Sequence, residues 1–231
     1  MKAVILAGGQ GKRLRPLTEY TPKPLIKICG KPIIYHQIEW LKSHGITDII
    51  LCVGYLKEKF LDEIGSGRKF GINVAYIVED EALGTGGALK NASHVLRDEE
   101  CFYVINGDII TNLNLKVMKE KLDDDVVGVI AAYPLPSPYG IIDVDENNRV
   151  VSFKEKPLLM KYWINAGVYL FKPSIFSFLP DKGDIEVTTF RKLAEMKLLK
   201  VVFYKDIFWK SIDTYKDIEE AERLLSKLSK S

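Results

Sequence analysis

The apolar run Ala3-Val4-Ile5-Leu6-Ala7 ends in Gly8-Gly9-Gln10-Gly11, and Lys12, Arg13, Arg15 and Lys23 follow closely. The run reads as a buried strand feeding a turn that needs φ > 0, and the glycines let backbone N–H groups come close to an anion. Lysine supplies a point charge and arginine a bidentate fork, which together suit a polyphosphate chain. The pattern reads as a nucleotide triphosphate site. Its candidate contacts are Leu6, Ala7, Gly8, Gly9 and Gly11 along the strand end and turn, with Lys12 and Arg13 just beyond. Two better-known phosphate motifs are excluded. A Walker loop needs a hydroxyl residue after its lysine, and Lys12 is followed by Arg13. A G-x-G-x-x-G fingerprint counted from Gly9 meets Leu14 where its third glycine belongs.

What remains, G-G-x-G-x-R-L-x-P-L-T followed by P-K-P at Pro22-Lys23-Pro24, resembles the signature of the sugar-1-phosphate nucleotidyltransferases, also called nucleotide-sugar pyrophosphorylases. The likeness covers nearly the whole chain. It implies an α/β, Rossmann-like fold, a nucleoside triphosphate and a sugar 1-phosphate as partners, Mg²⁺ as cofactor, and Arg13, Lys23 and Asp108 as catalytic residues.

Asn106-Gly107-Asp108 follows the apolar run 101–105, and a carboxylate at the carboxyl end of such a strand is well placed for Mg²⁺ beside a triphosphate. Read alone, the tripeptide is a turn. The resemblance makes Asp108 the first metal ligand and Asn106 a nucleotide contact. The family's second metal aspartate usually stands two residues after a tryptophan near the C-terminus, where this chain has Ser211 after Trp209. The W-x-x-x-D-T version resembles that of the glucose-1-phosphate cytidylyltransferase branch and implies Asp213; by position alone Asp213 also suits the N-cap of a final helix.

Glu79-Asp80-Glu81-Ala82-Leu83-Gly84-Thr85-Gly86-Gly87-Ala88 resembles the family's base-recognition loop, with Glu79, Gly84 and Thr85 as contacts. Thymidylyl and uridylyl relatives carry glutamine at the position of Glu79. Guanine presents two adjacent donors, and a carboxylate can accept from both. The L-G-T-G-G-A run is also close to that of guanylyltransferases acting on mannose or heptose phosphates. Read without that likeness, Glu79 belongs to a solvated acidic turn. Tyr139-Gly140, Glu155-Lys156-Pro157 and Asn165-Ala166-Gly167 resemble three successive sugar-site motifs. They imply Glu155 on sugar hydroxyls, Lys156 on the sugar phosphate, the Asn165 amide on a hydroxyl, and close backbone approach at Gly140 and Gly167.

The elements that must position these residues alternate. Strands are expected at 2–7, 48–53, 73–78 and 101–105, with helices at 32–44, 57–65 and 84–97 between them. That order predicts a mixed, mostly parallel sheet with helices on both faces. The second half is strand-rich, with runs at 126–133, 140–144, 149–154, 165–171 and 200–205 before a helix at about 217–227. The reading is one nucleotidyltransferase domain over 1–231. Residues to about 110 carry the nucleotide and residues from about 111 carry the sugar phosphate. Many relatives continue into a left-handed β-helix, which this chain is expected to lack.

The chain has 231 residues, a formal net charge of +2 and a hydrophobic fraction of 47%, a balance too mild to argue for nucleic acid. No signal peptide and no apolar run near eighteen residues is present, so no membrane association and a cytoplasmic location are expected. Cys29, Cys52 and Cys101 lack paired spacing and read as free buried thiols. His36, His44 and His94 show no ligand spacing. A homo-oligomer is left open. The expected reaction is nucleotidyl transfer from an NTP, favoured as GTP, to mannose or heptose 1-phosphate. Alternatives are UTP, dTTP or CTP with glucose 1-phosphate, or a catalytically silent sugar-nucleotide sensor.

Overall fold

A computed structural model describes residues 1–228. Strand β1 (Lys2–Ala7) lies at the heart of the sheet because its apolar residues are covered on both faces. It is followed by a short helix α1 (Leu17–Tyr20), the two-residue strands β2 (Lys27–Ile28) and β3 (Lys31–Pro32), and helix α2 (Ile33–Ser43). Then come β4 (Asp48–Val53), α3 (Lys57–Ile64), β5 (Asn73–Val78), α4 (Gly84–Asn91), β6 (Phe102–Asn106) and β7 (Ile109–Thr111). The second half holds α5 (Leu115–Lys121), β8 (Gly128–Pro136), β9 (Ile141–Val144), β10 (Val150–Lys154), β11 (Leu158–Phe171), α6 (Ile185–Glu195), β12 (Leu199–Phe203), β13 (Trp209–Ser211) and α7 (Tyr215–Leu228).

Seven strands form the main sheet in the order β12-β8-β11-β6-β1-β4-β5. β1 runs parallel to β4 and β6, β4 parallel to β5, and β12 parallel to β8, while β11 is antiparallel to both its neighbours. The expected mixed, mostly parallel sheet is what forms. Ala3 and Ile5 pack with Ile38 and Leu41 of α2 and Phe60 of α3 on one face. Val4, Phe102 and Val104 pack with Leu89 of α4 and Leu193 of α6 on the other. The alternation along β1 thus feeds two cores, the reason its sequence is apolar throughout.

Chain order reverses at β1, whose neighbours are β4 and the later β6, so the loops leaving β1 and β6 part around a crevice. A third apolar cluster, with Leu14, Ile26, Ile28, Ile110 and Ile212 buried together, clamps the basic segment 12–33 against β7, β13 and α7. Lys12–Leu14 and Lys23–Leu25 are each one turn of 3₁₀-helix on that clamp.

Several expectations shift. The helix expected over 84–97 is α over Gly84–Asn91 and then 3₁₀ over Ala92–Val95. The strand expected at 165–171 begins at Leu158 and carries two register shifts, one between Asn165 and Tyr169. Gly167, at φ +69°, sits within that second irregularity, where only glycine is unstrained. Helices α5 and α6 fall in stretches not assigned from sequence. Cys29 is exposed rather than buried, at the turn between β2 and β3, while Cys52 and Cys101 are buried as expected.

Candidate active site

At the carboxyl ends of β1 and β6, in-register pairing of Leu6 with Asn106 and a Gly107 N–H to Leu6 C=O bond of 2.9 Å hold the glycine turn beside the Asn106-Gly107-Asp108 corner. Between them opens a cavity of about 410 Å³. Every residue marked from sequence for nucleotide, catalysis or metal lines it, from Leu6 to Asp213.

Asp108 and Asp213 meet through the pairing of β7 with β13. Ser211 lies opposite Ile109, and the Ile212 N–H donates to the Asp108 carbonyl at 2.9 Å. The two carboxylates converge on one ammonium: Lys23 Nζ is 2.6 Å from Asp108 Oδ2 and 2.6 Å from Asp213 Oδ1. Arg13 Nη2 reaches the same Asp213 oxygen at 2.7 Å, and the Ser211 hydroxyl donates to Asp213 Oδ2 at 2.8 Å. Burial raises the Asp213 pKa, but the hydrogen bond and charge of Lys23, the Ser211 hydroxyl and Arg13 outweigh it and hold the carboxyl below the usual range. Asp213 does not cap α7. Thr214 does, accepting the Asp217 N–H at 3.3 Å, while Asp217 Oδ2 accepts the Thr214 N–H at 2.8 Å and the Asp213 N–H at 3.1 Å.

Glu79 is no solvated turn residue. Only 6% of it is exposed at the end of β5, where its Oε2 accepts the Leu83 N–H at 3.0 Å. Burial raises its pKa and the Leu83 N–H lowers it, the sum being a rise. A Cβ on Gly8 would lie 2.5 Å from Glu79 Oε1, so glycine is required there for the carboxylate to sit against the turn.

The residues read as sugar motifs lie off the cavity in two places, by the β9–β10 hairpin and in β11. None of Tyr139, Gly140, Glu155, Lys156, Asn165 and Gly167 lines the cavity. Gly140 and Glu155 come together, since a Cβ on Gly140 would be 3.1 Å from Glu155 Oε2, and Lys156 Nζ pairs with Glu155 at 3.1 Å. These residues border the β9–β10 hairpin, and Tyr139 is exposed beside it. Asn165 is engaged at both ends of its amide, donating to Tyr169 Oη at 2.7 Å and accepting the Gly167 N–H at 3.0 Å.

Asp184 also lines the cavity and was not singled out from sequence; its Oδ1 accepts the Thr85 N–H at 3.3 Å. An aspartate ahead of the 3.6-periodic Ile185, Thr189 and Leu193 signals the start of α6, but no sequence signal places that start against α4.

A mixed sheet with a glycine turn, two convergent carboxylates and a cationic strip at its switch point defines a phosphate-handling α/β domain. The chain belongs to the nucleotidyl transferase family, which matches residues 2–227. It is 40% identical over 226 residues to mannose-1-phosphate guanyltransferase 2 of Candida glabrata, covering 94% of this chain and 62% of that protein. It is 39% identical to mannose-1-phosphate guanyltransferase of Hypocrea jecorina, covering 100% of this chain and 66% of that protein. The chain thus spans just under two thirds of the length of these relatives. Among solved structures it resembles HddC from Yersinia pseudotuberculosis, with a TM-score of 0.75 and 31% identity over 97% of this chain and 99% of that one. The same protein complexed with GMP-PN gives the same score. Among the described residues no helix is long and apolar enough to cross a membrane.

Proposed function

We propose that this domain transfers a guanylyl group from GTP to a mannose-type or heptose 1-phosphate, giving the GDP-sugar and pyrophosphate. The observation that carries this reading is the convergence of Asp108, Asp213, Lys23 and Arg13 at the mouth of the glycine turn. The family match and the guanyltransferase relatives support it.

Both reactants are anions, so the barrier falls through charge neutralisation and alignment. An oxygen of the sugar phosphate attacks the α-phosphorus in line, and pyrophosphate leaves from the opposite side. No covalent enzyme intermediate is required. The N–H groups of the Gly8–Gly11 turn and Lys12 receive the triphosphate, and Arg13 stabilises the departing pyrophosphate. Lys23 and Lys156 neutralise the attacking phosphate, while Glu155 and Asn165 orient the sugar hydroxyls. Glu79 gives Oε2 to Leu83 and keeps Oε1, whose two lone pairs accept from guanine's adjacent donors.

The donor set fits Mg²⁺. That ion is usually held by one or two carboxylates with substrate phosphates completing the octahedron, and Asp108 and Asp213 turn two hard oxygen donors to the point where the Lys23 ammonium sits, so Mg²⁺ would share these oxygens with Lys23 or displace it. When bound it would supply positive charge at the reacting phosphates.

Pyrophosphate release from each of the four NTPs, paired with mannose, heptose and glucose 1-phosphates, tests the proposal. The highest kcat/KM is expected with GTP and mannose or heptose 1-phosphate. A clear preference for UTP or dTTP with glucose 1-phosphate would overturn the substrate assignment, and no pyrophosphate from any pair would leave a sensor.

A further inference from the structure

The nucleotide-side turn and the sugar-side loop are joined by a chain of side chains that meets at one carboxylate. Thr85, on the cavity, donates its hydroxyl to Glu186 Oε2 at 2.8 Å and accepts the Ile185 N–H at 2.9 Å. The other oxygen of Glu186 accepts the Tyr169 hydroxyl at 3.4 Å. Tyr169 Oη accepts Asn165 Nδ2, and Asn165 Oδ1 accepts the Gly167 N–H, at 2.7 and 3.0 Å. Gly167 in turn packs on Asn106, for a Cβ there would lie 3.0 Å from Asn106 Nδ2. Helix α4, helix α6 and strand β11 therefore meet at Glu186, which does not itself line the cavity.

We propose that Glu186 is a positioning residue, whose two oxygens hold the Thr85 turn and the Asn165–Gly167 loop at a fixed separation so that acceptor and α-phosphorus meet in line. This rests on the nucleotidyl-transfer reading above. A carboxylate is the group the position requires: two hydroxyl donors, Thr85 and Tyr169, face it, and only a carboxylate offers an acceptor oxygen to each. Tyr169 is fully buried, and burial together with the charge of Glu186 pushes its phenol up, so it stays a donor across the working range. A glutamine would keep one link and turn an amide N–H₂ against the other hydroxyl. Neither half-site loses a ligand contact by that change. What is lost is their alignment, and a misplacement of about 1 Å can cost on the order of 10²-fold in rate.

The test is Glu186→Gln and Tyr169→Phe in the full chain, with steady-state pyrophosphate release, calorimetric affinities for GTP alone and mannose 1-phosphate alone, and thermal melts. Glu186→Gln is expected to lower kcat about 10- to 100-fold while each separate affinity stays within about twofold of wild type. Tyr169→Phe should lower kcat in the same direction with the same split. The double variant should cost less than the product of the two single losses, since both cut one chain. A wild-type kcat in Glu186→Gln overturns the proposal. A fall in the separate affinities matching the fall in kcat also overturns it, marking Glu186 as a direct ligand or a merely structural group. If Glu186→Gln does not fold, Tyr169→Phe, which removes one oxygen atom, decides by the same criterion. A parent protein that releases no pyrophosphate with any substrate pair sinks the functional reading and this role with it, whereas an active parent with unaffected variants sinks this role alone.

Discussion

Glu79 sets stability against use. Burial raises its pKa above the ordinary glutamate value near 4.3, so the folded chain holds the proton more tightly than the unfolded chain does. The sign follows: protonated Glu79 carries no penalty at low pH, and stability is lost as pH rises from the ordinary glutamate range through the folded value. Glu79→Gln is therefore expected to melt above wild type at about pH 7.5, with the gap closing towards pH 4. Equal melting temperatures at both would show that burial costs this carboxylate nothing. The same variant should lose GTP preference by about 1–3 kcal/mol, since an amide that turns its oxygen to guanine sets its NH₂ against the Leu83 N–H, and turned the other way it offers guanine a donor; unchanged kcat/KM ratios across the four nucleotides would assign base reading to backbone groups. Lys23 gives a second expectation at this scale. Its ammonium is mostly buried between two carboxylates, so Lys23→Ala leaves Asp108 unpaired and facing Asp213, which keeps only the exposed Arg13 guanidinium. The variant should melt lower and lose turnover at least 100-fold. Mg²⁺ without nucleotide should raise its melting temperature more than it raises that of wild type. Equal Mg²⁺ shifts in the two proteins would show that these carboxylates do not share a cation.

At the scale of elements, the start of α7 holds the second carboxylate in place. Asp217 accepts from both Thr214 and Asp213, so one cap fixes the helix and the loop that carries Asp213 together. Thr214→Ala should cost about 1 kcal/mol and lower Tm by roughly 2–4 °C. It should also reduce kcat, with Thr214→Ser restoring both; an intact kcat in the alanine variant would uncouple the cap from the site. The β9–β10 hairpin behaves differently. It is a two-stranded sheet whose Ile142, Val144, Val150, Val151 and Phe153 are all exposed. Such a ribbon is marginal by itself.

Across the whole molecule, stability should fall outward from β1, which is paired on both sides and covered on both faces. Hydrogen exchange is expected to be slowest in β1, β4 and β6 and fastest within 141–154. GTP plus sugar 1-phosphate should slow exchange in the hairpin by the proposed engagement of Glu155 and Lys156, at its end, with the acceptor. Hairpin amides as protected as those of β6 before any ligand is added would refute the marginal-ribbon account.

The sequence by itself determined the parts of this protein whose physics is local. Continuous apolar runs require strands covered on both faces, and so β1, β4, β5 and β6 stand within a residue of their expected bounds. The glycine turn follows β1 where the apolar run ends, and the residues read from sequence as nucleotide contacts all line one cavity. Ile185, Thr189 and Leu193 carry the helical period of α6, a local signal among the strand runs of the second half. Tertiary structure decided everything that depends on distance through space. The pairing of β7 with β13, separated by almost a hundred residues, chose Asp213 as the partner of Asp108 and aimed Ser211 at it. Packing against Gly8 buries Glu79, which its acidic sequence neighbours alone would put in a solvated turn and the family likeness in the base-recognition loop. The meeting of α4, α6 and β11 made Glu186 a junction, although no spacing in the chain distinguishes it from a solvated glutamate. Local conformation is written in neighbouring residues, whereas a carboxylate's role depends on which donors surround it, and those donors come from elements that only the folded sheet brings together.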